Sequence, residues 1–221
     1  MTAKVVLFDF DGTIADTYNA IARITNQLSS EFGYKTLNHE ELLLLKNLSS
    51  REIVKLSEIS IFKIPFLVKR VRSELSKEIA DLDPIQGISS ILFELKHRGY
   101  TLGIVTSNDK KNVEIFLRKN QLNSLFDYIY SSTSIFGKHR VINRAIKDRK
   151  LKKFDVMYVG DETRDIRSAR RSRIGIAAVT WGFNSAEILK EYQPDYLVDK
   201  PSELLQAIEL YHSQKAKTTA N

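Results

Sequence analysis

Two aspartates near the start of the chain, Asp9 and Asp11, are the residues whose types and spacing best suit catalysis. They follow the apolar run VVLF, and side chains on a strand alternate between its faces, so carboxylates two residues apart point the same way. One carboxylate can attack an electrophile while the other handles a proton. Gly12 and Thr13 turn the chain and leave backbone N–H groups for anionic oxygens. The alternative is a solvated acidic turn after a strand, a common use of Asp and Gly.

Further polar clusters accompany apolar runs later in the chain. LGIV ends in Thr106, Ser107 and Asn108, and VMYV ends in GDETRD at 160–165. Lys138 lies between these two clusters, just ahead of a helical pattern. Open α/β sheets bind ligands outside the carboxyl ends of their strands, so we expect the clusters to converge on one site.

Taken in order, DFDGT, Thr106, Lys138 and GDETRD resemble the signature of the haloacid dehalogenase-like hydrolase superfamily. DFDGT with GDETRD is similar to its phosphoglycolate phosphatase-like branch. The resemblance extends from about Val5 to about Leu205, and the ordered set is much more specific than DxDGT alone. It implies an α/β fold: a three-layer, Rossmann-like core with a mainly parallel sheet and an inserted helical cap subdomain.

The resemblance implies phosphoryl transfer. Asp9 is the predicted nucleophile, and a carboxylate that attacks phosphorus forms an acyl-phosphate, which divides one difficult step into two. Asp11 is predicted to protonate the leaving-group oxygen and then to activate water. The related dehalogenases act on carbon and lack the second aspartate, so its presence favours a phosphatase. We expect a phosphoric monoester hydrolase for a small phosphorylated metabolite, with 2-phosphoglycolate the leading substrate.

Asp161 and Asp165 add two carboxylates to a site for an anionic substrate. Like charges this close oppose one another unless a cation intervenes, and Mg²⁺ fits oxygen ligands of this kind. By resemblance, Asp9 and Asp161 bind the metal directly, the backbone carbonyl of Asp11 is a third ligand, and Asp165 binds directly or through water. The alternative for Asp161 and Asp165 is capping of the helix that follows, and one residue can do both.

Substrate contacts are predicted for the remaining polar residues. The Thr106 hydroxyl and the Ser107 N–H are expected to donate to phosphoryl oxygens, and Lys138 to neutralise Asp9 and the transferring group. Taken alone, a strand-end threonine or a lysine is more often structural or solvated. Their order in the chain favours the catalytic roles. Asn108 is a candidate for support of the site.

Residues 16–83 carry several amphipathic stretches and no convincing strand, which predicts a helical cap that excludes water from the site. The predicted units are a hydrolase core at 1–15 plus 84–212, a cap at 16–83 and a frayed tail at 213–221. Within the cap, Arg51 begins a helix and can bind a substrate carboxylate in bidentate fashion. The alternative is a surface arginine paired with Glu52 or Glu58.

Composition is consistent with an enzyme of this kind. The 221 residues are enough for one substantial core and a smaller subdomain. The chain contains no cysteine, which excludes disulfides and a cysteine nucleophile. No apolar run approaches the roughly 20 residues that a membrane span requires, and no signal-peptide pattern precedes the first strand. We therefore expect a cytoplasmic enzyme with no membrane partner.

The net charge of +7 comes with basic clusters at 69–72, 147–153 and 164–173. Such clusters suit nucleic acids, so the sequence leaves room for a nucleic-acid 3′-phosphatase. Aromatic residues are not interleaved with them as base stacking requires, which favours steering of small phosphate anions, or solubility.

Two further functions are compatible with the same motifs. A sugar-phosphate phosphatase or phosphoglucomutase of the superfamily would use the same catalytic residues on a different substrate. A non-catalytic binding protein could be built on the same fold, because a fold does not by itself fix a function. The presence of every catalytic residue disfavours the binding protein.

Overall fold

The computed structural model describes residues 4–132 and 137–218, and the side chains of 216–218 are not part of that description. Its strands match the apolar runs of the sequence. They are β1 (Val5–Phe8), β2 (Thr101–Thr106), β3 (Tyr128–Ser131), β4 (Val156–Gly160), β5 (Gly175–Val179) and β6 (Tyr196–Val198).

Helices fill the intervals between the strands. Those that follow β1 are α1 (Tyr18–Gln27), α2 (Ser29–Phe32), α3 (His39–Leu45), α4 (Ser50–Leu56), α5 (Ile64–Glu78) and α6 (Ile88–His97). Those of the second half are α7 (Lys110–Lys119), α8 (Lys138–Asp148), α9 (Thr163–Ser172), α10 (Ala186–Glu191) and α11 (Pro201–Thr218).

Within the described part of the chain, the strands form one six-stranded parallel sheet in the order β3-β2-β1-β4-β5-β6. Along the chain, β2 pairs with one edge of β1 and β3 pairs with β2, whereas β4 pairs with the other edge of β1. The crevice between β1 and β4 is the point where the order reverses, and ligands bind at such points in open α/β sheets. The topology therefore places a site at the carboxyl ends of these two strands.

Successive side chains of the central strands point to opposite faces of the sheet and pack into two apolar layers. Val6 and Phe8 pack with α6, α7 and α11 on one face of the sheet. Val5 and Leu7 pack with α8, α9 and α10 on the other face. The predicted three-layer α/β core with a parallel sheet is therefore confirmed.

Helices α1 to α5 form the predicted helical insertion between β1 and α6. Where the chain leaves and re-enters the core, two backbone segments lie side by side. The Asp16 N–H donates to the Asp83 carbonyl at 3.0 Å, and the Ile85 N–H donates to the Ile14 carbonyl at 2.8 Å. These bonds join both connections of the insertion at one place.

Helix α11 continues to Thr218, beyond residue 213, where a frayed tail was predicted to begin. Each added residue of a helix gains a backbone hydrogen bond, so the helix continues without large apolar side chains. Residues 219–221 lie outside the described residues.

Tyr211 ties α11 to the sheet. Its phenol oxygen accepts the Gly175 N–H at 3.1 Å and donates to the Val156 carbonyl at 3.1 Å. The ring covers Gly175 so closely that a Cβ there would overlap it. The absence of a side chain at position 175 is therefore a packing requirement.

We expect Gly175→Ala to lower the free energy of unfolding by about 1–3 kcal/mol, the usual cost of overpacking, as measured by urea unfolding. In a Tyr211→Leu background the same change should cost less, because the ring it meets is gone. An equal cost in both backgrounds would contradict this explanation.

Candidate active site

The ends of β1 and β4 bring the two predicted aspartate segments together. Phe8 is in register with Val159 of β4, and the Asp9 N–H extends this pairing by donating to the Val159 carbonyl at 2.8 Å. Gly160 ends β4 and Asp161 follows it. Asp9 and Asp161, which are far apart in sequence, therefore leave adjacent strands at the same edge of the sheet.

Lys138 lies in the first turn of α8 and is only 3% exposed. Its Nζ is 2.5 Å from Asp9 Oδ2 and 2.5 Å from Asp165 Oδ1. Burial by itself lowers the pKa of this lysine, but the carboxylates of Asp165 and Asp9 outweigh burial and raise it above the ordinary value. The charged ammonium holds together two aspartates that would otherwise repel each other.

Asp165 serves both α9 and the carboxylate cluster. Its Oδ2 accepts the Glu162 N–H at 3.0 Å at the start of the helix, while Oδ1 contacts Lys138. Capping and a place in the site were alternatives for this residue, and the geometry combines them in one side chain. Burial raises the pKa of Asp165 to about 6, although Lys138 opposes the shift.

Asp161 is fully buried, and two donors fix its orientation. The Thr13 hydroxyl donates to Oδ1 at 2.7 Å, and the Phe183 N–H donates to Oδ2 at 2.8 Å. Burial, followed by the charges of Glu162 and Asp9, raises the pKa of Asp161 well above its ordinary value. The predicted turn residue Thr13 thus supports a carboxylate of the site.

Gly12 allows this close approach. Its φ of 73° lies in the left-handed region, and a Cβ at this position would overlap both Asp161 Oδ2 and the Phe183 ring. The turn after the first strand therefore requires glycine for its conformation and for its space.

Three of the carboxylates fit a divalent cation. Asp9, Asp161 and Asp165 are buried, and one oxygen of each lies within 4.8 Å of the others. Hard oxygen donors are the ligands that Mg²⁺ prefers, and burial together with neighbouring carboxylates raises the pKa values of Asp161 and Asp165. The donor set suits the predicted metal.

The Asp11 carboxylate takes a different position, against Asn108. The Asn108 amide donates to Asp11 Oδ1 at 2.9 Å and to Oδ2 at 3.2 Å. Burial, followed by the charge of Asp9, raises the pKa of Asp11 to about 6, while the Asn108 hydrogen bonds oppose the rise. A pKa of about 6 suits a group that gives up and takes up a proton near neutral pH. Asn108, which was predicted to support the site, contacts the Asp11 carboxylate directly.

Thr106 and Ser107 lie beside this pair at the end of β2. Thr106 is buried, and its hydroxyl oxygen accepts the Asn108 N–H at 2.9 Å, which leaves the hydroxyl proton to be donated elsewhere. Ser107 faces the cavity next to Asp11. The structure thus brings both predicted phosphate-contacting residues to the site.

A cavity of about 260 Å³ opens beside Asp11, between the insertion and the core. It is lined by residues of both parts: Asp11, Ile21, Thr25, Leu67, Val68, Val71, Arg72, Leu75, Ser107, Asn108, Glu162, Arg164 and Phe183. The two cationic residues in this lining, Arg72 of α5 and Arg164 of α9, were not predicted from the sequence. They belong to the basic clusters at 69–72 and 164–173, but composition does not reveal which members face inward.

Arg51, the predicted substrate-binding arginine, is exposed and is not among the described residues that line this cavity. Its neighbour Ser50 faces the core and donates to Glu162 Oε2 at 3.0 Å. Adjacent helical residues do not share a face, so the inward position of Ser50 turns Arg51 away. The structure therefore does not bring Arg51 to the candidate site.

A family model for haloacid dehalogenase-like hydrolases matches residues 6–179. The chain belongs to this family. The match includes Asp9, Thr106, Lys138 and Asp161, so the predicted resemblance and the predicted hydrolase class are confirmed. In the described residues, no helix is both long and apolar enough to cross a bilayer.

Individual relatives cover nearly the whole chain. A phosphoglycolate phosphatase of Synechococcus elongatus is 36% identical over 205 residues, which are 93% of this chain and 97% of the relative. A pyrophosphatase PpaX of Bacillus mycoides is 28% identical over 218 residues, 93% of this chain and 96% of the relative. The solved structure of a haloacid dehalogenase-like hydrolase from Streptococcus pneumoniae matches with a TM-score of 0.76 and 27% identity, covering 92% of this chain and 97% of that one.

Removal of the Lys138 charge should expose the repulsion between the buried carboxylates. We expect Lys138→Met to lower the free energy of unfolding by about 3–5 kcal/mol at pH 7.5 in chelator, since a buried pair loses one partner. The loss should shrink at pH 5, because the raised pKa of Asp165, about 6, leaves it mostly protonated there.

Urea unfolding at the two pH values measures both effects. Lys96→Met is the matched control, because Lys96 pairs with Asp127 at the surface and should cost less than about 1 kcal/mol. A Lys138→Met penalty that is small, or that grows as the pH falls, would contradict the role assigned to the ammonium.

Proposed function

We propose that this protein is a Mg²⁺-dependent phosphatase that hydrolyses a small phosphomonoester through an aspartyl-phosphate on Asp9. The observation that carries the proposal is that Asp9 contacts the Lys138 ammonium and lies near enough to the Asp11 carboxyl group for its charge to raise the Asp11 pKa. A nucleophile, a cation beside it and an acid toward the cavity are the groups that stepwise phosphoryl transfer needs.

In the first step, an Asp9 carboxylate oxygen forms a bond to phosphorus while the bond from phosphorus to the leaving-group oxygen breaks. Asp11 gives its proton to that oxygen, so the leaving group departs as a neutral alcohol. Lys138, the Thr106 hydroxyl and the Ser107 N–H balance the charge on the phosphoryl oxygens. A pKa of about 6 lets Asp11 carry this proton in a useful fraction of molecules near neutral pH.

In the second step, water attacks the phosphorus of the acyl-phosphate and loses a proton to the Asp11 carboxylate. The bond between Asp9 and phosphorus breaks, which releases inorganic phosphate and restores the Asp9 carboxylate. Asn108 holds the Asp11 carboxylate in place through both steps by its two amide contacts.

Asp9, Asp161 and Asp165 would hold the Mg²⁺ ion, together with the backbone carbonyl of Asp11 as the resemblance implies. When bound, the ion supplies positive charge that lets a substrate phosphate approach several carboxylates. Thr13 and the Phe183 N–H orient the Asp161 carboxylate for this purpose.

The leading substrate is 2-phosphoglycolate. Its support comes from the relative of that name, which is 36% identical across nearly the whole of both chains. A cavity of about 260 Å³ accommodates a leaving group of this size beside Asp11. A cytoplasmic location and a small-molecule partner complete the proposal.

Phosphate release from a panel of substrates tests the proposal. The panel contains 2-phosphoglycolate, glucose phosphates, pyrophosphate, a 3′-phosphorylated oligonucleotide and p-nitrophenyl phosphate, each with Mg²⁺ and with chelator. We expect 2-phosphoglycolate to give the highest kcat/KM and chelator to abolish turnover. Faster turnover of a sugar phosphate or of the oligonucleotide would favour a phosphatase of that class, and activity in excess chelator would remove the metal from the mechanism.

Asp9→Asn should abolish turnover of every active substrate, because the amide keeps the shape of the side chain but cannot attack phosphorus. Circular dichroism and thermal unfolding should show a folded protein. Asp81→Asn, at an exposed aspartate, is the control and should keep full activity. Substantial turnover by folded Asp9→Asn would eliminate Asp9 as the nucleophile.

Asp11→Asn should reduce kcat by roughly 10²- to 10⁴-fold, the usual effect of losing a general acid or base. Single-turnover measurements separate the two steps. Transfer from an aryl phosphate should suffer less than transfer from an alkyl phosphate, because a good leaving group needs no proton. Equal losses with both leaving groups would show that Asp11 does not act as the acid.

A further inference from the structure

The cavity beside Asp11 has a mainly apolar wall and two cations. Ile21, Leu67, Val68, Val71 and Leu75 of the insertion supply the apolar side. An anionic group is costly to place against such a wall unless a cation meets it. The cations among its described lining residues are Arg72 and Arg164.

The two arginines approach from opposite parts of the protein. Arg72 lies on α5 of the insertion and is partly buried, which lowers its pKa, while Asp109 and Asp11 of the core act in the opposite direction. Arg164 lies in the first turn of α9, next to the carboxylate cluster. Both arginines line the cavity beside Asp11, one from the insertion and one from the core.

Glu162 fixes the orientation of Arg164. The Arg164 Nε donates to Glu162 Oε1 at 2.8 Å, and Nη2 makes a second, shorter contact to the same oxygen. Glu162 is held in turn by the Ser50 hydroxyl of the insertion. The guanidinium plane is therefore set before any ligand arrives, which favours bidentate recognition of a planar or tetrahedral anion.

Resting on the proposed function, we propose that Arg72 and Arg164 are specificity-determining residues that bind a second anionic group, on the leaving group of the substrate. Asp11 marks the position of the leaving-group oxygen, and the cavity extends from Asp11 to these two arginines. A carboxylate or phosphate a few bonds from the scissile oxygen reaches them. The anion joins α5 to α9, so its binding also draws the insertion onto the core.

Lys46 does not fill this role. Its ammonium donates to the Gly182 carbonyl at 2.9 Å and lies 4.2 Å from the centre of the Tyr18 ring. These contacts hold it in a neighbouring cavity of about 200 Å³, whose lining includes neither Asp11 nor the arginines. The lysine therefore stabilises the joint between insertion and core.

The test compares matched substrates. 2-Phosphoglycolate carries the carboxylate, its amide analogue has the same shape without the charge, and pyrophosphate presents a phosphate instead. Arg72→Gln and Arg164→Gln should each lower kcat/KM for 2-phosphoglycolate by about 30-fold or more, mainly through KM, as expected for one partner of a desolvated pair. The amide analogue and p-nitrophenyl phosphate should change by less than about threefold.

Matched charge controls are available on the same helices. Lys69→Gln on α5 and Arg171→Gln on α9 each remove one exposed positive charge and should leave all substrates nearly unchanged. Glu162→Gln in the Arg164→Gln background tests whether the loss of kcat/KM comes from the missing arginine or from the negative charge of Glu162, which has then lost its partner. Arg72→Lys should give a KM between those of the unmodified enzyme and Arg72→Gln, because lysine keeps the positive charge but lacks the forked guanidinium donor.

The outcomes separate this inference from the proposed function. If the unmodified enzyme releases no phosphate from any substrate, the proposed function fails. If the unmodified enzyme does release phosphate, but the arginine variants lose kcat/KM equally for charged and uncharged substrates, the specificity role is wrong. A selective loss with pyrophosphate alone assigns the second anion as phosphate, and a selective loss with 2-phosphoglycolate alone assigns it as carboxylate. Binding of 2-phosphoglycolate and its amide to Asp9→Asn with Mg²⁺, by calorimetry, should show the same selectivity without turnover.

Discussion

The crowding of buried carboxylates at one edge of the sheet is the constraint on which the other features of the site depend. Asp9, Asp161 and Asp165 each offer an oxygen within 4.8 Å of the others, away from solvent. Such an arrangement is unfavourable unless cations and aligned N–H groups compensate it. Lys138 supplies the charge, and Thr13 supplies a hydroxyl donor. The fold supplies the position, because adjacent parallel strands end together where the strand order reverses.

The loop after β5 connects the insertion to this cluster. The Asn184 amide donates to the carbonyls of Lys46 and Leu48 in the insertion, and its oxygen accepts the Thr163 N–H of α9. One residue earlier, the Phe183 N–H holds the Asp161 carboxylate. The position of the insertion and the orientation of a metal-ligand candidate therefore depend on two consecutive residues. This arrangement couples the placement of the insertion over the site to the orientation of the Asp161 carboxylate.

The sequence predicted what local spacing and strand ends determine. Asp9, Asp161 and Lys138 follow from short motifs whose geometry a parallel sheet fixes, and the structure brings them together as expected. Arg72 was not predicted, because the face that α5 presents depends on how the insertion packs on the core. Arg51 had the better sequence context, at the start of a helix, yet the inward position of Ser50 leaves it exposed. Local patterns identify helices but not the partners that select their faces.

The positions of the basic residues also help to decide between a small phosphorylated substrate and a nucleic acid. Arg149 lies over the Tyr128 ring, 4.6 Å from its centre, and Arg144 lies 5.5 Å from the centre of Tyr130. These stacks cover the ring faces that base stacking would use. Other cations pair with acids at the surface, as Arg70 does with Glu31 and Glu74. The cations that line the cavity beside Asp11 are better placed for a small anion than for a polymer, so the excess positive charge favours a small phosphorylated substrate over a nucleic acid.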